Sequence, residues 1–226
     1  GLRIPYMILA DQRYDDRMLF ENAYDLLSGV WLGSYDAYTL AKGIGYPLFL
    51  VLAKKLCLPY SMLLALLQAV GAWLFVRAVS VRWQNPYGQA ILYLLLLFSP
   101  ISLTLLVTQR LYRMAIVPGM VLVVFSGMIG LTLRKELPLK KQLPWAILTG
   151  VALAFFWQIR EDSVWILPFI AVMTVWNVGY VILALHKKLN TKALLLHCLA
   201  MLLPLLLLFG ANTGISAVNR IHYGVF

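Results

Sequence analysis

Six stretches of this chain run apolar for long enough, or nearly so, to cross the roughly 30 Å of hydrocarbon in a bilayer at about 1.5 Å per helical residue. They are residues 60–82, 88–108, 114–133, 144–160, 163–185 and 193–217. Inside hydrocarbon every backbone N–H and C=O must find its partner within the protein, and an isolated run of this length can do that only as a helix. The expected fold is therefore all-α, a polytopic transmembrane helical bundle. Composition points the same way: 62% of the 226 residues are hydrophobic and 12% are charged, against about a quarter charged in a soluble domain. Such a chain has too little polar surface to cover a globule in water, so the lipid bilayer is its main partner.

The formal charge of +10 does not indicate nucleic acid, because the bases sit in short loops between apolar runs, where membrane orientation places them. Alternation of the six runs puts Arg77, Arg82, Arg134, Lys135, Lys140, Lys141, Lys187, Lys188 and Lys192 on one side, with Glu136 as the only acid among them. By the positive-inside rule that side is cytoplasmic. Residues 1–59, Arg110, Arg113, the Arg160-Glu161-Asp162 turn and Arg220 then face outward, together with the other eight acids. Cys57 and Cys198 lie in apolar segments and read as small core residues, with no disulfide or metal framework following from two of them. The chain opens at Gly1 without an initiator Met and stops at Phe226 shortly after an apolar run. It is expected to be a fragment lacking a first span and some following chain.

Two units are expected: an outer loop over residues 1–59 and the six-span bundle over residues 60–226. Two surface helices are expected in the loop. Residues 15–29 carry Leu19, Ala23, Leu26 and Leu27 at helical spacing, an Arg17/Glu21 pair at i,i+4, and Gly29 to end the helix. Residues 44–58 are apolar but short, with Lys54-Lys55 in their second half, and read as an interfacial or re-entrant helix opened by Pro47; a full span here would instead put residues 1–42 on the cytoplasmic side. Two rows of small residues, Ser61/Ala65/Ala69 and Gly210/Gly214, suggest close helix packing.

The groups that can carry chemistry gather on the outward side. Asp15 and Asp16 open the first surface helix, with Asp11 four residues upstream. Asp is a preferred N-cap and a first-turn acid complements the helix dipole, so capping is the bland reading; removing a proton from a hydroxyl, or holding a divalent cation, is the functional one. Arg110, Arg113 and Arg160 can form an anion site, because guanidinium forks match phosphate oxygens. Ordinary loop charge, with Arg160 paired to Glu161 or Asp162, is the alternative. Lys42-Gly43-Ile44-Gly45-Tyr46-Pro47 is either a plain turn or a loop whose backbone and Lys42 approach a phosphate. It lacks the third glycine and preceding strand of a dinucleotide fingerprint. The histidines show no metal spacing, and His197 reads as a packing residue.

Taken together, Tyr14-Asp15-Asp16-Arg17-Met18-Leu19-Phe20, Gly29-Val30-Trp31-Leu32-Gly33 and Thr39 to Leu50 resemble the first outer loop of membrane-embedded GT-C glycosyltransferases of the protein mannosyltransferase and aminoarabinose transferase type. The patch Arg160-Glu161-Asp162-Ser163-Val164-Trp165-Ile166-Leu167-Pro168-Phe169 is similar to a motif of bacterial proteins of this kind. The likeness covers about a quarter of the chain, and Lys42-Gly43-Ile44-Gly45 departs from the His-Pro often found before Tyr46-Pro47. The resemblance implies a bacterial plasma-membrane enzyme with its site facing outward. It would move a sugar, with inversion, from a polyprenyl-phosphate donor to the hydroxyl of an unidentified acceptor. Asp15 or Asp16 would be the base or a ligand of a divalent metal, Mg or Mn. Arg110, Arg113, Arg160 and Lys42 would meet the phosphate, with Asp11, Glu161, Asp162 and Tyr46 nearby. A transporter or flippase component would instead show an internal repeat and polar breaks near mid-membrane, neither of which is evident. A noncatalytic scaffold, with the acids acting only as caps, is the third reading.

Overall fold

The computed structural model describes residues 15–35, 39–103, 113–160 and 162–225; the side chains of Asp15, Asp16, Ser102 and Leu103 lie outside that description. All regular structure among the described residues is helical. The helices are α1 (Asp15–Leu27), α2 (Gly45–Lys55), α3 (Tyr60–Val79), α4 (Pro86–Leu97), α5 (Pro100–Leu103), α6 (Val117–Leu133), α7 (Leu139–Trp157), α8 (Leu167–Leu185) and α9 (Thr191–Tyr223). Short 3-10 turns at Arg113–Ala115 and Ser163–Ile166 lead into α6 and α8. The protein is an all-α bundle, and among the described residues four helical stretches are long and apolar enough to cross a membrane: Tyr60–Val79, Arg113–Leu133, Ser163–Leu185 and Thr191–Tyr223.

Helix starts follow local chemistry. Pro86, Pro118 and Pro168 lie in first turns, where a missing N–H costs nothing. Asn85 caps α4 by accepting from Tyr87 N at 3.0 Å and Gly88 N at 3.2 Å, and Asn190 caps α9 through Ala193 N at 2.8 Å. Such caps satisfy N–H groups that no helical carbonyl can reach.

The packing order is α4–α3–α6–α7–α9–α8, with α6 also touching α8. Just over half of the α6 span, 56%, is buried, against 28% in each of the other three spans, so α6 is the central helix. Its close contacts use small residues. Gly119 meets Leu67 of α3, Ser126 donates to Gly71 O at 3.3 Å, Gly127 sits on Thr149 of α7, and Gly130 on the Trp145 ring. In hydrocarbon, helix association rests on such close approach rather than on hydrophobic driving force. The rows expected to pack do not. Ser61 and Ala65 are exposed, Ala69 is half-buried, and no atom lies within 4 Å of a side chain built at Gly210 or Gly214. A small-residue motif shows that a close approach is permitted, and the facing helix decides whether one occurs.

Two of the six expected spans also come out differently. The 88–108 run forms α4, twelve residues long, which stops at Phe98 before Pro100 opens α5; residues 104–112 lie outside the described set. Pro100 has no N–H to give Leu96 O and disfavours helical backbone at Ser99. Gln68 of α3 donates its Nε2 to that carbonyl at 2.7 Å, the kind of rescue that lets prolines persist in membrane helices. The 144–160 run belongs to α7, which starts earlier, at Leu139, and carries Lys140, Lys141 and Gln142 in its first turn. That polar start shortens its apolar stretch, although its middle is buried at Ala146, Thr149, Leu153 and Phe156.

The charged loops separate to the two ends of the bundle. At one end Arg134 Nη1 donates to Ala78 O and Gly130 O, and its Nη2 to Arg77 O. Gln142 Nε2 there reaches Lys135 O, Leu137 O and His197 Nδ1, so His197 is indeed a packing residue. The other end carries α1, α2, the turn at Arg113, the turn at Arg160 and the last turns of α9.

Candidate functional site

Helix α1 buries Leu19 and Ala23, half-buries Leu26 and leaves Leu27 exposed. This face packs on α2. On the opposite side Arg17 Nε meets Glu21 Oε1 at 2.7 Å in water, where such a pair contributes little. Asn22 is buried on the α2 side, and its Nδ2 is a donor without an acceptor in the described structure. The helix ends where Gly29 takes φ +80° and Val30 N returns to Asp25 O at 2.9 Å, an αL stop of the kind glycine permits. Asp15 and Asp16 form its first turn.

From Gly29 the chain passes to the far end of α9. That helix has 33 residues, about 50 Å at 1.5 Å per residue. It therefore outlasts roughly 30 Å of hydrocarbon by several turns. Those turns are polar, and the loop is latched to them. Trp31 Nε1 donates to Asn219 Oδ1 at 2.9 Å, and the Tyr223 hydroxyl reaches both Trp31 O, at 2.6 Å, and Gly33 O, at 3.0 Å. The Trp31 ring stacks on His222, and Tyr35 lies against Tyr223. Leu32, a non-glycine residue at φ +36°, is buried within this loop, a strained backbone that persists only where its surroundings hold it.

The Lys42–Tyr46 loop docks on the end of α7. Gly45 N donates to Gln158 O at 2.8 Å. A Cβ at Gly43 would lie 2.2 Å from Gln158 O, and one at Gly45 2.7 Å from Gln158 C, so these glycines are required by close approach of two backbones. Gln158 also donates its Nε2 to Asn212 Oδ1 of α9 at 2.6 Å. Tyr46 is wholly buried, with its hydroxyl 3.0 Å from that of Tyr60, the first residue of α3. The starts of α2 and α3 thus lie at one level, and α2, eleven residues long, does not carry the chain across the bundle.

Arg113 is buried in the turn before α6. Its neighbour Met114 touches Nη1 of Arg160, which ties the Arg113 turn to the end of α7. Arg160 is gripped by Asp162: Nε lies 2.6 Å from Oδ1 and Nη2 bonds Oδ2. The loop-charge reading of Arg160 is therefore realised in this conformation, and a phosphate would have to displace Asp162 from the fork. Lys42, Tyr46, Arg113, Arg160 and Asp162 are brought to one end of the bundle with α1. Asp11, Arg110 and Glu161 lie outside the described residues. Among the described residues no three His, Cys, Asp or Glu side chains group as metal ligands.

Sequence reasoning gave no individual role to Trp31 and missed Gln158, Asn212, Asn219 and Tyr223. A signal was present: the last apolar run ends by residue 217, yet helix-compatible polar residues continue to Tyr223. No family model, curated protein or solved structure matches this chain.

Proposed function

We propose that the protein is an integral-membrane glycosyltransferase that moves a sugar from a polyprenyl-phosphate donor to an acceptor hydroxyl at the α1 end of the bundle. The observation that carries this reading is the docking of the Lys42–Tyr46 loop on Gln158. That contact unites α1 and α2 with the two arginine turns at one end. Hydroxyl attack on the anomeric carbon breaks the bond to the phosphate oxygen and inverts the centre. Asp15 or Asp16 accepts the hydroxyl proton, and Lys42 and Arg113 meet the charge that grows on the departing lipid phosphate. Arg160 contributes only after exchanging Asp162 for that phosphate. Positive-inside bias makes the α1 end the outward one, consistent with a bacterial plasma-membrane enzyme.

The test is sugar transfer from labelled polyprenyl-phosphate donors in membranes carrying Asp15→Asn or Asp16→Asn. One of the two should lose about 10²–10⁴-fold in rate with an unchanged unfolding midpoint. Full transfer by both variants would refute the assignment, and a stability loss without a rate loss would leave the pair as helix caps.

A further inference from the structure

Positive charge at the other end of the bundle is concentrated. Arg77 lies in the last turn of α3 and Arg82 in the turn after it, while Arg134 and Lys135 follow α6, beside α8. Arg134 is a buried structural group: its two terminal nitrogens hold three carbonyls and its guanidinium lies 4.5 Å from the Trp145 ring centre. Burial, and then the charge of Arg77, pushes its pKa below the ordinary arginine value. Lys135 Nζ lies 3.9 Å over the Tyr180 ring and 5.4 Å from that of Trp176. Burial pushes its pKa down; Glu136 opposes this and Arg82 reinforces it. Glu136, the only acid in this set, accepts from the Tyr180 hydroxyl. The set therefore holds four cations and one carboxylate.

We propose that the basic surface where the turn after α3 meets Lys135, drawn together by the bonds of Arg134 to Arg77 O and Ala78 O, binds the phosphate of an anionic phospholipid, with the Tyr180 and Trp176 rings beside it. Below it α8 presents Val172, Val175 and Trp176, each more than 60% exposed. That apolar strip suits acyl chains, whereas a free phosphate would have no use for it. Basic sites between helices are a known way for membrane proteins to hold anionic headgroups. A merely diffuse positive end would draw equally on Lys187 and Lys188, which are exposed on the next loop.

The experiment is titration of phosphatidylglycerol into phosphatidylcholine nanodiscs holding the intact chain, at about 0.15 M salt to screen distant charges. Retained lipid is read by native mass spectrometry. Arg82→Gln/Lys135→Gln should bind phosphatidylglycerol about thirtyfold more weakly and Arg82→Gln alone about fivefold, while Lys187→Gln/Lys188→Gln stays near wild type. Arg82 is exposed, so the single variant keeps the test open if the double variant misfolds. Equal loss in the Lys187/Lys188 control, wild-type binding by both Arg82 variants, or full competition by inorganic phosphate would each overturn the proposal.

Discussion

At the residue scale, single polar atoms and single hydrogens decide local outcomes. Gln68 reads as an isolated polar residue in an apolar run, yet its donor satisfies the carbonyl that Pro100 frees across the helix interface. Gln68→Leu should cost about 1–3 kcal/mol, the penalty of an orphaned carbonyl. The double variant Gln68→Leu/Pro100→Ala should recover much of that loss in detergent unfolding curves. No recovery would mean that Gln68 acts through packing alone. Gly45 is the converse case, since its missing side chain is what admits the Gln158 backbone. Gly45→Ala should overpack the contact by about 1–3 kcal/mol and, on the transferase reading, lower sugar transfer more than Gly210→Ala, whose site is open. Neither role was visible in sequence, because both depend on what faces the residue from another helix.

At the element scale, α9 does more than span. Its polar last turns hold the 31–35 loop, and through it the helix that carries Asp15 and Asp16. Tyr223→Phe removes the donor shared by Trp31 O and Gly33 O, a loss of about 1 kcal/mol that should appear as faster protease cleavage within residues 29–35. Cleavage at the wild-type rate would show that the Trp31–Asn219 bond and the ring contacts suffice. The surface helix α1 was legible beforehand from its Leu19/Ala23 spacing, its Arg17/Glu21 pair and Gly29. α4 was not, because hydropathy over 88–108 registers apolar side chains and is nearly blind to the one absent N–H at Pro100.

For the whole molecule, the division of charge between two ends is the organising fact. Tyr35→Cys and Lys187→Cys, each in a Cys57→Ala/Cys198→Ala background, should label from opposite sides of sealed vesicles. Labelling from one side would place α1 and the basic loops in the same compartment and remove the ground for an outward-facing site. The amino-acid order alone determined the class and this polarity, because solvation in lipid acts on each apolar run independently and loop charge is local to its loop. Which small residues meet, which carbonyl Gln68 reaches, and whether Arg160 grips Asp162 were decided only in the tertiary structure. Each of these depends on a surface contributed by a segment distant in the chain, and hydropathy, uniform around an apolar helix, does not say which face will turn inward.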